Sequence, residues 1–257
     1  MKKHILFFIE SLSGGGAEKV LVTLLKHLDY SKYEVTLMTL VDTGVLKGDV
    51  DMSKLHYKPV ICEAKSHWHY IWNSIKYKLI YQYLPSKLVN RWVIPQRGID
   101  LYIAFAEGFA TKLLSYTPKK KFTWVHADLQ TDPWTLKSHI YRDFLEEQIS
   151  YKRYDKIVCV SKSVEIVMQD YYGLKSTVTI YNPIDKDVIL QKAKQPIDIE
   201  LPSSFKIVSV GRLVYQKGYD RLISVVGKLK KEGKDIQLYI IGEGSECKHL
   251  ESIIQNK

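Results

Sequence analysis

Short apolar runs alternate with amphipathic segments along the whole chain. The run Ile5 to Ile9 meets Glu10 at once and reads as a first strand rather than the hydrophobic region of a leader. A glycine-rich stretch follows, and then Val20, Leu21, Leu24, Leu25 and Leu28 recur at helical spacing. Tyr33 to Val41 alternates as a second strand. Residues 100–106, 121–127 and 154–160 read as further strands, and Ser161 supplies a natural amino-terminal cap for the helix after the last of them. The segment TVTIY is closed by the turn signal Asn182-Pro183. Residues 186–204 are polar, proline-punctuated and weakly patterned, which predicts a linker. Beyond it, Phe205 to Val210 predicts a buried strand, Gly211 ends it, and Tyr219, Leu222, Ile223 and Val226 mark an amphipathic helix. A last strand, Ile236 to Ile241, runs through Gly242-Glu243-Gly244-Ser245 into a helix from about Glu246 to the end. Alternating strands and helices imply α/β units with parallel sheets. The predicted domains are 1–185 and 205–257, joined by 186–204.

Composition narrows the picture. The 257 residues can hold one large or two modest domains, and 46% apolar content is ordinary for a globular protein. Cys62, Cys159 and Cys247 are odd in number and in no metal-ligand spacing, as expected of reduced thiols in a cytoplasmic protein. No segment is long enough to span a bilayer. A net charge of +10 calls for an acidic partner: nucleic acid, anionic lipid or a phosphorylated substrate. No nucleic-acid module is recognisable and the aromatics do not form a stacking platform, so nucleic acid is not expected.

One stretch changes the balance between the remaining partners. Residues 64–99 contain no Asp or Glu but do contain Lys65, Lys76, Lys78, Lys87, Arg91 and Arg97. Among them stand Trp68, Tyr70, Trp72, Tyr77, Tyr81, Tyr83 and Trp92. Read as two helices broken at Pro85, this is a basic, aromatic, amphipathic surface suited to the headgroup region of an anionic membrane. The competing account is core aromatics with solvated lysines. His67 and His69 flank Trp68 without a third ligand, so no metal is expected there.

Candidate chemistry collects at junctions between strand and helix. Arg212 and Lys217 stand where a strand's carboxyl end meets a helix amino terminus, the place where open α/β sheets bind anions. A guanidinium fork and an ammonium point charge together suit a diphosphate. Gly14, Gly15 and Gly16 remove side chains where the first loop turns and let a ligand approach backbone N–H groups. That loop is no dinucleotide fingerprint, because Lys19 occupies the place of the third glycine.

The segment GRLVYQKGYDRLI resembles the start of the carboxy-terminal domain in family 4 of the retaining, GT-B-fold glycosyltransferases. SGGGAEKVLVTLL resembles that family's G-G-A-E loop, WVHAD its cleft histidine, and IIGEGSE its second glycine loop. The resemblance implies two Rossmann-like domains facing across a cleft, with the acceptor bound by the first and a nucleotide-sugar, such as a UDP-sugar, by the second. Arg212 and Lys217 would hold the donor diphosphate, with Gly15, Gly16, Gly242, Glu243 and Gly244 also on the donor side. His126 would contact the transferred sugar. Glu18 is an acceptor-side candidate or a first-turn helix residue, and Asp128 either orients His126 or caps the next helix. The pairs Asp49/Asp51 and Asp185/Asp187 match the metal-binding D-x-D of another transferase class only by two letters, so metal-independent catalysis without a cofactor is expected.

The second domain is expected to be cut short, since the family's acidic E-x7-E element has no match after Ile241. The expected activity is transfer of a hexose or N-acetylhexosamine to a glycan or lipid-linked acceptor in polysaccharide assembly, such as capsule, at the inner face of the plasma membrane. The alternatives are a non-catalytic chain, one half of a split transferase completed by a second chain, or a nucleotide-sugar epimerase on the same fold.

Overall fold

A computed structural model describes residues 2–197 and 201–255. Residues 198–200 of the stretch read as a linker, and Lys257, lie outside the described residues. The chain divides into two compact units, Met1–Ile189 and Leu190–Lys257.

In the first unit, β1 (Lys3–Ile9) leads through the glycine loop to α1 (Gly16–His27) and β2 (Tyr33–Val41). A 3-10 turn (Val45–Asp49) precedes β3 (His56–Ile61), followed by α2 (His67–Lys78), a π-helical turn (Leu79–Tyr83) and α3 (Ser86–Val93). Then come β4 (Leu101–Ala104), α4 (Phe109–Leu114), β5 (Lys121–Val125), α5 (Trp134–Lys137) and α6 (Phe144–Lys152). The unit closes with β6 (Lys156–Cys159), α7 (Lys162–Ile166), a π turn (Val167–Tyr171) and β7 (Thr177–Thr179), and α8 (Lys186–Ala193) runs across the division at Ile189. The helix ends are capped as their sequences allow. Ser66 accepts from His69 N–H, Asp143 from Glu146 N–H, and Ser161 from Val164 N–H.

All seven strands are parallel, in the order β3-β2-β1-β4-β5-β6-β7. Right-handed crossovers then dictate the layers. Strands added on the β2 side of β1 send α1 to one face, where Val20, Leu21 and Leu25 pack on Ile5, Phe7 and Ile9. Strands added on the β4 side send α4, α6 and α7 to the other, where Leu113, Tyr151 and Val164 meet Leu6, Tyr102 and Ile157. The alternation expected in Tyr33 to Val41 is absent, because Val35 through Leu40 are all buried. A parallel strand with both faces covered needs no polar face.

In the second unit, β8 (Phe205–Val210) pairs in parallel with β9 (Ile236–Ile241). A 3-10 turn (Tyr215–Lys217) and α9 (Tyr219–Lys231) separate them, and α10 (Cys247–Gln255) follows. A small core of Leu213, Tyr219, Ile223, Val226 and Leu250 forms on one side of this ribbon. The expectation that Phe205 to Val210 is a buried strand is corrected: Phe205, Val208 and Val210 are exposed. Two strands with both helices on one side leave the face of Val208 and Val210 uncovered, while Phe205 stands at the strand's first position on the side of Ile207 and Ser209. The expected linker is likewise not wholly irregular, since it opens with α8.

Candidate active site

The strand order of the first unit reverses between β1 and β4, so the loops leaving their carboxyl ends diverge and leave a crevice, the usual ligand position in open α/β sheets. Two carboxylates bind these loops together. Glu10, directly after β1, accepts a hydrogen bond from Phe109 N–H at the start of α4 (3.2 Å). Glu107, in the loop after β4, accepts from His126 N–H just beyond β5 (2.9 Å). His126 Nε2 lies 3.2 Å from Phe105 O. A carbonyl only accepts, so the proton is on Nε2, which leaves Nδ1 as a lone-pair acceptor.

Burial sets the protonation states here. It raises Glu10 from 4.5 to about 7, helped by the nearby charges of Glu18 and Glu107 and opposed by the Phe109 N–H. Burial also raises Glu107, against the hydrogen bond from His126 N–H. His126 is pushed down from 6.5 to about 4 by desolvation, against the Phe105 carbonyl and the Glu18 charge. At neutral pH the imidazole is therefore uncharged, able to accept from a sugar hydroxyl but not to pair with an anion. Glu10 is poised between acid and base.

The other expected residues of this unit fall into place around that core. Gly15 is the N-cap of α1 and has no side chain to satisfy the helix end; Glu18 folds back over it, filling the space a Cβ would need. Gly14 adopts φ +102°, open to glycine but strained for other residues, while a Cβ on Gly16 would meet nothing. Asp128 caps the turn that follows it and not the next helix, α5, whose N-cap is Pro133. Its carboxylate accepts from Gln130 N–H, Thr131 N–H and Thr131 Oγ1, and those bonds hold its pKa down. Sequence reasoning missed Glu10 and Glu107. Each is an acidic residue at a strand's carboxyl end, and the Glu107-Gly108 pair before a helix was an available signal.

In the second unit the carboxyl ends of β8 and β9 are joined backbone to backbone. Gly211 N–H donates to Ile241 O (3.0 Å), Leu213 N–H to Glu243 O (2.8 Å), and Glu246 N–H to Leu213 O (2.9 Å). A Cβ on Gly242 would overlap the Gly211 carbonyl, and one on Gly244 would overlap the Leu213 main chain. Close backbone approach thus accounts for both glycines. Gly218, at φ +63°, makes the left-handed step from the 3-10 turn into α9. The Lys217 stem passes Gly211, the residue before Arg212, with Cε 3.9 Å from where a Cβ would stand, and both cations belong to the one loop between β8 and α9. Both residues are exposed, and neither is paired with an acid among the described residues.

Three of the four D-x-D carboxylates are held in ion pairs. Asp49 pairs with Lys19, Asp51 with Lys54, and Asp185 with Lys26 at 2.6 Å. Among the described residues no three His, Cys, Asp or Glu side chains gather as metal ligands do.

The chain is 24% identical over 255 residues to an uncharacterised glycosyltransferase of Haemophilus influenzae, spanning 98% of this chain and 65% of that protein. It is 29% identical over 243 residues to the N-acetylgalactosamine-N,N'-diacetylbacillosaminyl-diphospho-undecaprenol 4-alpha-N-acetylgalactosaminyltransferase of Campylobacter jejuni, over 92% of this chain and 62% of that one. The chain thus spans less than two thirds of either relative. Its fold matches that of S. aureus TarM, solved with fondaparinux, alpha-GlcNAc-glycerol and UDP, at a TM-score of 0.61 and 11% identity, over 99% of this chain and 75% of that one. The architecture is accordingly that of GT-B glycosyltransferases. Residues 191–257 match the family described as Glycosyl transferases group 1. Residues 14–188, more than half of the chain, match Glycosyltransferase Family 4, and to that family the chain belongs.

Proposed function

We propose that the chain acts in a glycosyltransferase that moves a hexose or N-acetylhexosamine from a UDP-sugar to a glycan or lipid-linked glycan, with retention and without a metal. The observation that carries this reading is the pair Arg212 and Lys217, two exposed cations on one loop at a strand's carboxyl end with no acidic partner among the described residues. As the sugar leaves, negative charge grows on the diphosphate, and preorganised cations lower the barrier by meeting it there. Gly15, Gly16 and the Gly242-Glu243-Gly244 loop are assigned to the donor side, Glu18 and Asp128 to the acceptor side. His126, neutral and with a free Nδ1, is assigned to a hydroxyl of the transferred sugar, where it would help orient the reacting carbon. A lipid-linked acceptor draws support from the name of the Campylobacter relative.

Calorimetric titration with UDP tests the donor assignment. Arg212→Ala and Lys217→Ala should each weaken binding by about 10-fold, at roughly 1.5 kcal/mol for a charge-assisted hydrogen bond. Release of UDP from UDP-sugars with EDTA present, with and without a glycan diphospholipid, then reads turnover. UDP binding that neither substitution changes would sink the proposal. An acceptor-independent change in the donor's sugar would favour an epimerase.

A further inference from the structure

The segment from α2 to α3 carries two apolar stripes where packing needs only one. Tyr77, Ile80, Tyr81 and Leu84, at i, i+3, i+4 and i+7, face the core. There Tyr77 stacks on Tyr81 (5.1 Å between centroids) and Tyr81 on Phe109 (4.6 Å). A second set, Trp68, Trp72, Ile75, Leu79 and Tyr83, runs at spacings of four, three, four and four along the opposite, solvent side. Trp68 is 74% exposed, Trp72 68%, and Trp92 on α3 70%. A solvated face gains nothing from large aromatic side chains, whereas large exposed apolar patches mark interaction sites.

Charge says which partner. The six cations of residues 64–99 have no acidic partner among the described residues. Elsewhere in the same unit Lys19, Lys26, Lys32, Lys47, Lys54, Lys112, Lys137 and Lys162 are paired with carboxylates, though Lys58, Lys119, Lys120, Lys156 and Lys175 are not paired among the described residues; what sets residues 64–99 apart is six cations in 36 residues with no acid among them. Beside the helices a cleft of about 540 Å³ opens between β3 and α2–α3, walled by Met38, Val60, Leu84 and Val89, with Lys58 and Trp92 also lining it. The face therefore offers unneutralised cations, interfacial tryptophans and an apolar slot along one helical pair.

We infer that the α2–α3 face docks this protein on an anionic lipid bilayer, with Trp68, Trp72 and Trp92 in the headgroup region and the cleft receiving part of one acyl chain. Trp and Tyr prefer that region, and Lys and Arg are drawn to it by the surface potential. An amphipathic helix lying in the interface needs no membrane span, and none of the described helices is long and apolar enough to make one. The inference is independent of the transferase reading, since it uses none of the residues assigned to donor or acceptor.

The test is co-sedimentation of the chain with vesicles of phosphatidylglycerol and phosphatidylcholine, against phosphatidylcholine alone. Three of the five tryptophans lie on this face, so their emission should shift to the blue and be quenched by lipids brominated in the acyl chain. The expected result is binding at least 10-fold tighter to the anionic vesicles, weakened by salt. The triple variant Lys78→Ala, Lys87→Ala, Arg91→Ala should lose roughly fivefold per cation, or roughly a hundredfold in all. Trp68→Ser with Trp72→Ser should bind more weakly with an unchanged melting curve, because both side chains lie outside the core. Failure to bind, equal affinity for both vesicle types, or emission unmoved by brominated lipid overturns the inference. UDP titration of the same samples keeps a failure here distinct from a failure of the donor assignment.

Discussion

Replacing Glu10 by Gln should make the stability of the first unit depend on pH in a way the wild type conceals. Burial raises Glu10 from 4.5 to about 7, which amounts to about 3 kcal/mol between its neutral and charged forms. A carboxyl held above its unfolded pKa binds its proton more tightly when folded. Its stabilisation is complete below about pH 4.5 and is lost as the pH rises to about 7. His126 runs the other way. Lowered from 6.5 to about 4, it is best accommodated above pH 6.5, and stability is lost as the pH falls toward 4. Between about pH 4.5 and 6.5 the two slopes oppose each other at roughly 1.4 kcal/mol per pH unit and nearly cancel. Glu10→Gln keeps an acceptor for Phe109 N–H and removes only the charge. The variant should equal the wild type near pH 4.5 and exceed it by about 3 kcal/mol at pH 8, with the His126 slope exposed between. His126→Asn should expose the opposite slope. Urea unfolding followed by tryptophan emission reads this unit alone, since all five tryptophans, from Trp68 to Trp134, lie within it. Every other titrating group is common to both proteins, so their difference isolates Glu10. A difference constant to within about 0.5 kcal/mol from pH 4.5 to 8 would refute a buried, near-neutral carboxyl at this position.

Two further outcomes follow from packing. Gly244→Ala should unfold or loosen the second unit at a cost of about 2 kcal/mol or more, because its Cβ would stand 2.6 Å from Leu213 C; amide exchange at Leu213 and Glu246 would report it, and unchanged protection would contradict it. Glu147 is fully buried and accepts from Thr135 Oγ1 (2.7 Å) and Tyr172 OH (2.9 Å). Glu147→Ala should cost about 2–4 kcal/mol by stranding two hydroxyls, and Glu147→Gln much less, since a hydroxyl can turn to accept from the amide; equal losses in urea unfolding would count against the network.

Much of this protein was legible in its residues. Every strand but β3, the helices α1, α7, α9 and α10, the glycine loop before α1, the Ser161 cap and the junction bearing Arg212 and Lys217 depend on neighbours within a few positions, and local periodicity and turn chemistry carry them; β3 and the helices α4, α5 and α6 were not read from the residues. The helix pair broken at Pro85 was legible for the same reason. Other features were decided only in three dimensions. That Val35 through Leu40 are buried on both faces, while Val208 and Val210 are exposed, depends on how many layers cover each sheet, which no window of sequence records. Glu10 and Glu107 look like ordinary surface acids until the reversal of strand order between β1 and β4 brings their loops together and strips them of water. Asp128 looked equally able to serve His126 until the turn after it engaged both carboxylate oxygens, Oδ1 twice and Oδ2 once. The second apolar stripe of α2 became distinguishable from its core stripe only once the sheet had claimed one side of the helix. Composition and spacing determine which elements form. Which side chains lose their water is set by what packs on each face, and desolvation is what turns Glu10 and His126 from surface groups into candidates for chemistry.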